Sequence, residues 1–298
     1  MMAHRVFGWC AVALVAGCGA EDSPLAWPTP AGFPAMSIPA DNPMSVAKVE
    51  LGRYLFYDPR LSFNQEISCS SCHEQEHAFA DSRSTPTGGT GTALEHNSQS
   101  LTNAAYNAQY TWANPALDTL ERQILIPMFA EVPIELGMAG HENEIYARLE
   151  DSDLYRSLLE DTEYSRIGFT TEVVVKSLAS FVRSLVSGSS AYDRYVNGDR
   201  SAMSESQIRG MELFYSERLE CHHCHGGFNF SLATTHEGST VSESAFHNTG
   251  LYDVDGTGSY PAGVQGLYEV TRDSGDRGRF RTPSLRNVAV TAPYFHDG

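Results

Sequence analysis

The chain has 298 residues, 41% of them hydrophobic and 19% charged, with a formal net charge of −17. That length holds one large or two ordinary domains, with enough apolar material for a sizeable core. The acidic balance argues against a nucleic-acid partner and suits a soluble protein that meets cationic surfaces, such as a basic electron carrier.

The start reads as a targeting segment. His4-Arg5 supply positive charge, and Val6 to Ala16 form an apolar run too short to span a bilayer as a helix. Val15-Ala16-Gly17-Cys18 is similar to a bacterial lipobox, with cleavage before Cys18 and a lipid on it; a plain signal peptide is the alternative. Residues 1–17 are thus expected to be a leader. The mature protein is expected in the periplasm, lipid-anchored to the outer membrane through Cys18 and otherwise free of membrane contact. Residues 18–43, with Pro24, Pro28, Pro30, Pro34 and Pro39, read as an extended tether.

Asn42-Pro43 predicts a helix start, and Val46 to Phe56 a helix that ends near Asp58-Pro59. The run Cys69-Ser70-Ser71-Cys72-His73 follows, and its spacing returns in Cys221-His222-His223-Cys224-His225. Two thiols on one turn reach the two vinyl groups of a haem, and the next residue presents an imidazole to the iron. These two runs use every cysteine apart from Cys10 in the leader and Cys18 at its cleavage point. Two C-x-x-C pairs can also make a zinc site of four cysteines or two disulfides, but the histidine after each pair then has no role. Two covalent c-type haems account for all six residues.

Between the runs, residues 80–100 are rich in Ser, Thr and Gly and read as a loop. Leu117, Leu120 and Ile124 predict a helix ending at Pro127. Ile145, Leu149, Leu154 and Leu158 suggest further helices, and Val174, Leu178, Phe181 and Leu185 an amphipathic helix over about 171–187. The polar stretch Ser187 to Arg200 divides an N-terminal haem domain, 44–195, from a C-terminal one, 196–298. The second opens with a capping box, Ser204-x-x-Gln207, before a stripe of Ile208, Met211 and Tyr215. Residues 226–279 read as a long ordered loop with short strands, and Asp253-x-Asp255-Gly256 as a turn. No helix follows Pro293-Tyr294-Phe295-His296-Asp297-Gly298, which gives the expectation of a truncated second unit. The predicted fold is mainly α, two cytochrome c-like haem domains packed together with long ordered loops.

With these residues assembled, the chain resembles the bacterial di-haem cytochrome c peroxidase/MauG superfamily from about residue 45 to 298. The likeness rests on Leu51-Gly52-Arg53-Tyr54-Leu55-Phe56-Tyr57-Asp58, both haem runs, Leu120-Glu121-Arg122-Gln123 with Pro127, and Arg281-Thr282-Pro283-Ser284-Leu285-Arg286-Asn287. Trp112-Ala113-Asn114-Pro115, Val132-Pro133-Ile134-Glu135-Leu136-Gly137 and Glu220 to Phe230 are most similar to its MbnH-like branch, named from methanobactin operons.

The resemblance implies a peroxide site at the haem of Cys69, Cys72 and His73, and an electron-relaying haem on Cys221, Cys224 and His225. It implies Glu135 as acid/base, Gln123 as its polar neighbour, Pro127 as a shaping residue and Trp112 between the haems. It also implies a calcium ion on Asn103, Thr291 and Pro293, all oxygen donors as calcium prefers. Many of these peroxidases carry a distal histidine after the first motif. Here that place reads Thr87-Gly88-Gly89-Thr90-Gly91, so an open first haem is expected; His96 is the alternative distal ligand and His77 a surface residue. The function implied is hydrogen-peroxide-dependent oxidation of a partner protein. The alternatives are peroxide reduction with electrons from a small cytochrome or cupredoxin, and a non-enzymatic electron carrier.

Overall fold

The computed structural model describes residues 27–239 and 246–298. The leader and Cys18 lie outside the described residues. Five helices occupy the first part: α1 (Val46–Tyr57), α2 (Leu120–Phe129), α3 (Glu142–Glu150), α4 (Asp153–Glu160) and α5 (Thr171–Ser184). The second part carries α6 (Ala191–Val196), α7 (Glu205–Phe214), α8 (His222–His225) and α9 (Tyr268–Thr271). Strands β1 (Phe246–Asn248) and β2 (Arg279–Arg281) pair antiparallel, with Phe246 opposite Arg281. The architecture is mostly helical, as expected.

The core is built where α1 lies along α5. Leu51, Leu55 and Phe56 of α1 meet Val174, Leu178 and Phe181 of α5, with Ile145, Leu149 and Tyr155 closing the cluster. Each such side chain contributes about 1.5–3 kcal/mol of burial. The helices approach so closely that a Cβ on Gly52 would lie 1.9 Å from the Ser177 carbonyl oxygen. Only glycine fits there.

Several local expectations shift. Helix α1 is capped by Ser45, whose hydroxyl accepts from the Lys48 amide at 3.2 Å. Asn42, expected as the cap, is fully buried and holds Glu121, the Lys176 carbonyl and the Lys48 ammonium through its amide. Helix α2 does not end at Pro127 but runs two residues further, to Phe129. A proline in the last turn removes one amide donor, and the helix closes past it through Ala130 N–H to Ile126 O.

Residues 27–43 are not a free tether. Phe33 packs edge-on against Tyr106 and Phe228, Met36 is buried, and the Tyr106 hydroxyl donates to Pro34 O at 3.0 Å. The proline-rich composition hid this anchoring because its contacts are made by a few aromatic and backbone groups. The stretch 187–200 is likewise folded, since α6 lies within it. There Asp193 takes both arms of Arg286 at 2.9 Å, fastening the segment to the C-terminal part. The capping box at Ser204 and Gln207 forms as expected, with both reciprocal bonds.

Candidate functional site

The first C-x-x-C-H run makes one tight turn over Cys69–Ser71, entered at Ser68, whose amide donates to Ser71 Oγ at 3.0 Å. The turn brings His73 N–H to Cys69 O at 3.1 Å. The second run forms α8, and its His225 N–H reaches Cys221 O at 2.9 Å. All four thiols are free. Burial pushes Cys69 up to about 12 and Cys72 up to about 11. Cys69 and Cys72 border one cavity and Cys224 another. They neither converge on a shared four-thiolate zinc point nor form disulfides.

The two imidazoles are oriented in the same way. His73 Nδ1 lies 2.8 Å from Phe79 O, and His225 Nδ1 lies 3.1 Å from Phe230 O. Burial lowers both pKa values, so each ring is neutral, donates through Nδ1–H and keeps its Nε2 lone pair. An imidazole fixed in this tautomer by a carbonyl is what a metal-binding histidine requires. Both carbonyls belong to phenylalanines at positive φ, 61° and 51°. That conformation is strained for an aromatic residue, and both motifs accept it to place one oxygen.

The first cavity, about 320 Å³, has His73 on its wall together with Gln123, Pro127 and Glu135. The chain after Val132 folds back along the end of α2, with Leu136 N–H on Pro127 O and Met138 N–H on Met128 O, both at 2.9 Å. That return aims Glu135 at the same space as Gln123. Burial pushes the Glu135 carboxyl up to about 7. Gln123 Oε1 is buried without a partner. The Thr87–Gly91 loop packs directly on this segment. A Cβ on Gly88 would sit 2.1 Å from Ile134 O, and Gly89 N–H donates to Glu135 O at 2.9 Å. His96 is also on the cavity wall, with its Nδ1 buried and unpartnered. His77 pairs with Glu74 at 2.7 Å.

The second cavity, about 370 Å³, is bordered by Cys224, His225, Arg281 and His296. Trp112 walls both cavities, is 8% exposed, and donates from its indole to Asn97 O at 2.8 Å. Sequence reasoning passed over His296. It is 2% exposed, stacks on Phe280 with centroids 3.6 Å apart, and meets Trp112 edge-on. Burial brings it down to about 4, so it is neutral. Two aromatic residues, Tyr294 and Phe295, precede it, but no motif marks it in the sequence. Arg281 is buried and holds Gln99 and the Thr111 carbonyl. Paired thiols, a tautomer-fixed imidazole and a cavity at each motif fit haem c.

The residues expected to hold calcium have these surroundings. Thr291 and Pro293 border the second cavity. The Asn103 amide oxygen accepts from Ser187 N–H at 2.7 Å, and its nitrogen donates to Ser187 O and Asn229 Oδ1. The unpartnered atom beside it is Asn229 Nδ2, a donor that no cation would satisfy.

Two cavities with oriented imidazoles, joined at one tryptophan, define a two-centre c-type haem protein. The chain belongs to the di-haem cytochrome c peroxidase family, whose model matches residues 46–201. It is 33% identical over 289 residues to the cytochrome-c peroxidase IdrP1 of Pseudomonas sp. (strain SCT), covering 92% of this chain and 74% of that one. It is 30% identical over 267 residues to the methylamine utilization protein MauG of Methylophilus methylotrophus, covering 88% and 72%. A crystal structure of a MauG-like protein associated with microbial copper homeostasis superposes with a TM-score of 0.88 at 44% identity, covering 91% of this chain and 78% of that chain. The chain is therefore an enzyme of the di-haem peroxidase type, not a mere electron carrier. Its cofactors are two haem c groups, its substrate is hydrogen peroxide, and it exchanges electrons with a redox partner.

Proposed function

We propose that this enzyme uses peroxide at the first cavity and passes the oxidising equivalents by way of Trp112 and the second cavity to a side chain of a partner protein, as MauG-like enzymes do. One observation carries the reading. Glu135, held near neutrality by burial, faces the same space as Gln123 and the oriented His73.

A haem held by Cys69, Cys72 and His73 would supply the redox chemistry for splitting the peroxide bond. The protein supplies the proton traffic. Glu135 in its carboxylate form accepts a proton from one peroxide oxygen and returns it to the other, which leaves as water. A group with a pKa near 7 does both steps at neutral pH without a large penalty in either. Gln123 offers its amide to orient the leaving oxygen, and Pro127 fixes the turn of α2 behind it. The glycines at 88 and 89 let the loop lie flat on the Glu135 segment and bring no imidazole into the cavity, which supports a first haem open to peroxide. Trp112 would carry a hole between the two centres, a role supported by its lining both cavities.

The test is the optical and EPR spectrum of the ferric, haem-loaded protein before and after one equivalent of peroxide. A high-spin centre that reacts at once supports the proposal. Two low-spin centres that ignore peroxide until half-reduced favour a reductively activated peroxidase fed by a small cytochrome or cupredoxin. The buried Nδ1 of His96, free on the first cavity wall, is the observation on that side. The partner side chain we favour is a tryptophan, in the copper-linked setting of the 44%-identical neighbour.

Export to the periplasm and a lipid on Cys18 belong to the same proposal. Palmitate labelling of the Cys18→Ala variant tests the anchor. No helix among the described residues is long and apolar enough to cross a membrane. Calcium on Asn103, Thr291 and Pro293 rests on resemblance alone; a chelator that leaves both haem spectra and the melting temperature unchanged removes it.

A further inference from the structure

The segment between α7 and the second thioether pair folds back on itself. Glu220 N–H donates to Ser216 O at 2.9 Å, and His223 N–H to Glu220 O at 3.1 Å. Glu220 turns the chain at φ 54°. This carries Glu217 over α8, where His222 Nε2 and His223 Nε2 lie 3.7 and 3.6 Å from its two carboxylate oxygens. The two imidazole rings are 4.4 Å apart, and the three ligand atoms all fall within 4.8 Å of one another.

Neither Glu–His separation is a hydrogen bond, which for these atoms needs about 2.7–3.2 Å. Three donor atoms that face one another without bonding leave a common point free between them. Metal–ligand lengths of about 2.0–2.1 Å put tetrahedral ligand atoms roughly 3.4 Å apart. Each histidine meets a different carboxylate oxygen, and the set with one oxygen, all within 4.8 Å, reaches that spacing by a small rotation of the exposed Glu217 side chain.

A second group, Glu74, Glu76 and His77, lies beside the first motif, but it is closed on itself. There His77 Nδ1 already bonds Glu74 at 2.7 Å. Side-chain exposures of 80% for Glu217, 51% for His223 and 25% for His222 leave the haem-2 group open to an ion from solvent. Tyr215 packs beside the His222 ring, with centroids 6.0 Å apart.

We propose that Glu217, His222 and His223 form a surface site for a divalent transition-metal ion, Cu2+ or Zn2+, with water completing its shell. Two imidazoles and one carboxylate are borderline donors. They select against calcium and magnesium, which take all-oxygen sets, and bind Cu2+ more tightly than Zn2+. The site sits on the helix turn between Cys221 and Cys224, so the ion brings its charge beside the second haem attachment.

The experiment titrates Zn2+ into the metal-stripped, haem-loaded protein by calorimetry and records Cu2+ EPR at one equivalent. The expected result is one site per chain, weakened at least tenfold in Glu217→Gln and in His223→Gln and unchanged in His77→Gln. The Cu2+ spectrum is expected to carry nitrogen hyperfine structure from two imidazoles, reduced to one in His223→Gln. Haem content and melting temperature verify that each variant is folded. Glu217→Gln lies outside the C-x-x-C-H run, so it decides the matter alone if His223→Gln loads haem poorly. The proposal is overturned if no ion binds, if Glu217→Gln binds as tightly as the parent, or if His77→Gln abolishes the site.

Discussion

Replacing Glu135 with glutamine separates its proposed catalytic role from its cost to the fold. The carboxyl has a pKa of about 7 in the folded protein against 4.5 when free, because burial penalises its charged form. The folded state therefore binds this proton more tightly than the unfolded chain does. Stability from the protonated group is fully present below pH 4.5 and is lost as pH rises through about 7. At about 1.4 kcal/mol per pH unit, the loss reaches about 3 kcal/mol above neutrality. Glutamine keeps the shape and never ionises. Glu135→Gln is thus expected to match the parent near pH 4 and to exceed it by up to about 3 kcal/mol near pH 8, measured by urea unfolding of the haem-loaded protein. In the same variant kcat/KM for peroxide is expected to fall by about 10²–10⁴, the usual worth of a positioned acid/base. The parent's kcat/KM should rise with pH through about 7, as the carboxylate forms, and the variant's profile should be flat. A variant that keeps the parent's rate and pH profile refutes the proton-transfer role. One that is less stable than the parent near pH 8 refutes the claim that burial of the charge is what lifts this pKa.

Trp112→Phe removes the indole bond to Asn97 O and leaves that carbonyl without its partner, at a cost of about 1–3 kcal/mol. Stopped-flow spectra should show peroxide reacting at the first haem while charge sharing with the second slows. Asp193→Asn weakens a pair with side chains 5% and 7% exposed and strands the Arg286 charge, so unfolding should be easier by about 3–5 kcal/mol at neutral pH. Burial opposes ionisation of Asp193, but its bonds to Arg286 and Ser190 outweigh this and hold the carboxyl below its ordinary value. The contribution is present above that ordinary value and lost as pH falls through the lowered one, so the difference between parent and variant should shrink in strong acid. Gly52→Ala drives a Cβ to 1.9 Å from Ser177 O and should lower stability by about 3 kcal/mol or more in a thermal melt, because neither helix backbone can yield without unpacking the core.

The haem runs were legible because covalent attachment needs fixed residue types at fixed spacing, and no packing argument can replace them. Helix α5 was legible because its apolar positions repeat with the helical period over three turns. The cap of α1 was not. Asn42 and Ser45 are both good capping residues, and only the tertiary bonds from Asn42 to Glu121, Lys48 and Lys176 O decide between them. The packed course of residues 27–43 was hidden for the same reason, since Phe33 and Met36 find their partners in Tyr106 and Phe228, far away in sequence. His296 had no motif around it that composition or period could flag. Its place against Phe280 and Trp112 exists only once β2 and the last segment are folded together.

The two haem runs share little residue identity beyond the motif, yet each orients its histidine through the carbonyl of a phenylalanine at positive φ, six residues after the ligand in one case and five in the other. Spacing differs and the bond is the same. The recurring element is thus an oxygen position, which different sequences reach by bending the backbone to meet it. What differs is the rest of each cavity lining. The first cavity holds a carboxyl near neutrality and an unpartnered amide oxygen. The second holds a buried guanidinium and a neutral, stacked histidine. A wall with a proton to exchange suits bond cleavage in peroxide. A wall of fixed charge and aromatic stacking has no proton to give near pH 7 and suits a centre that only gains and loses electrons. The walls thus support the proposed division of labour between the two haems, since the ligand sides are alike.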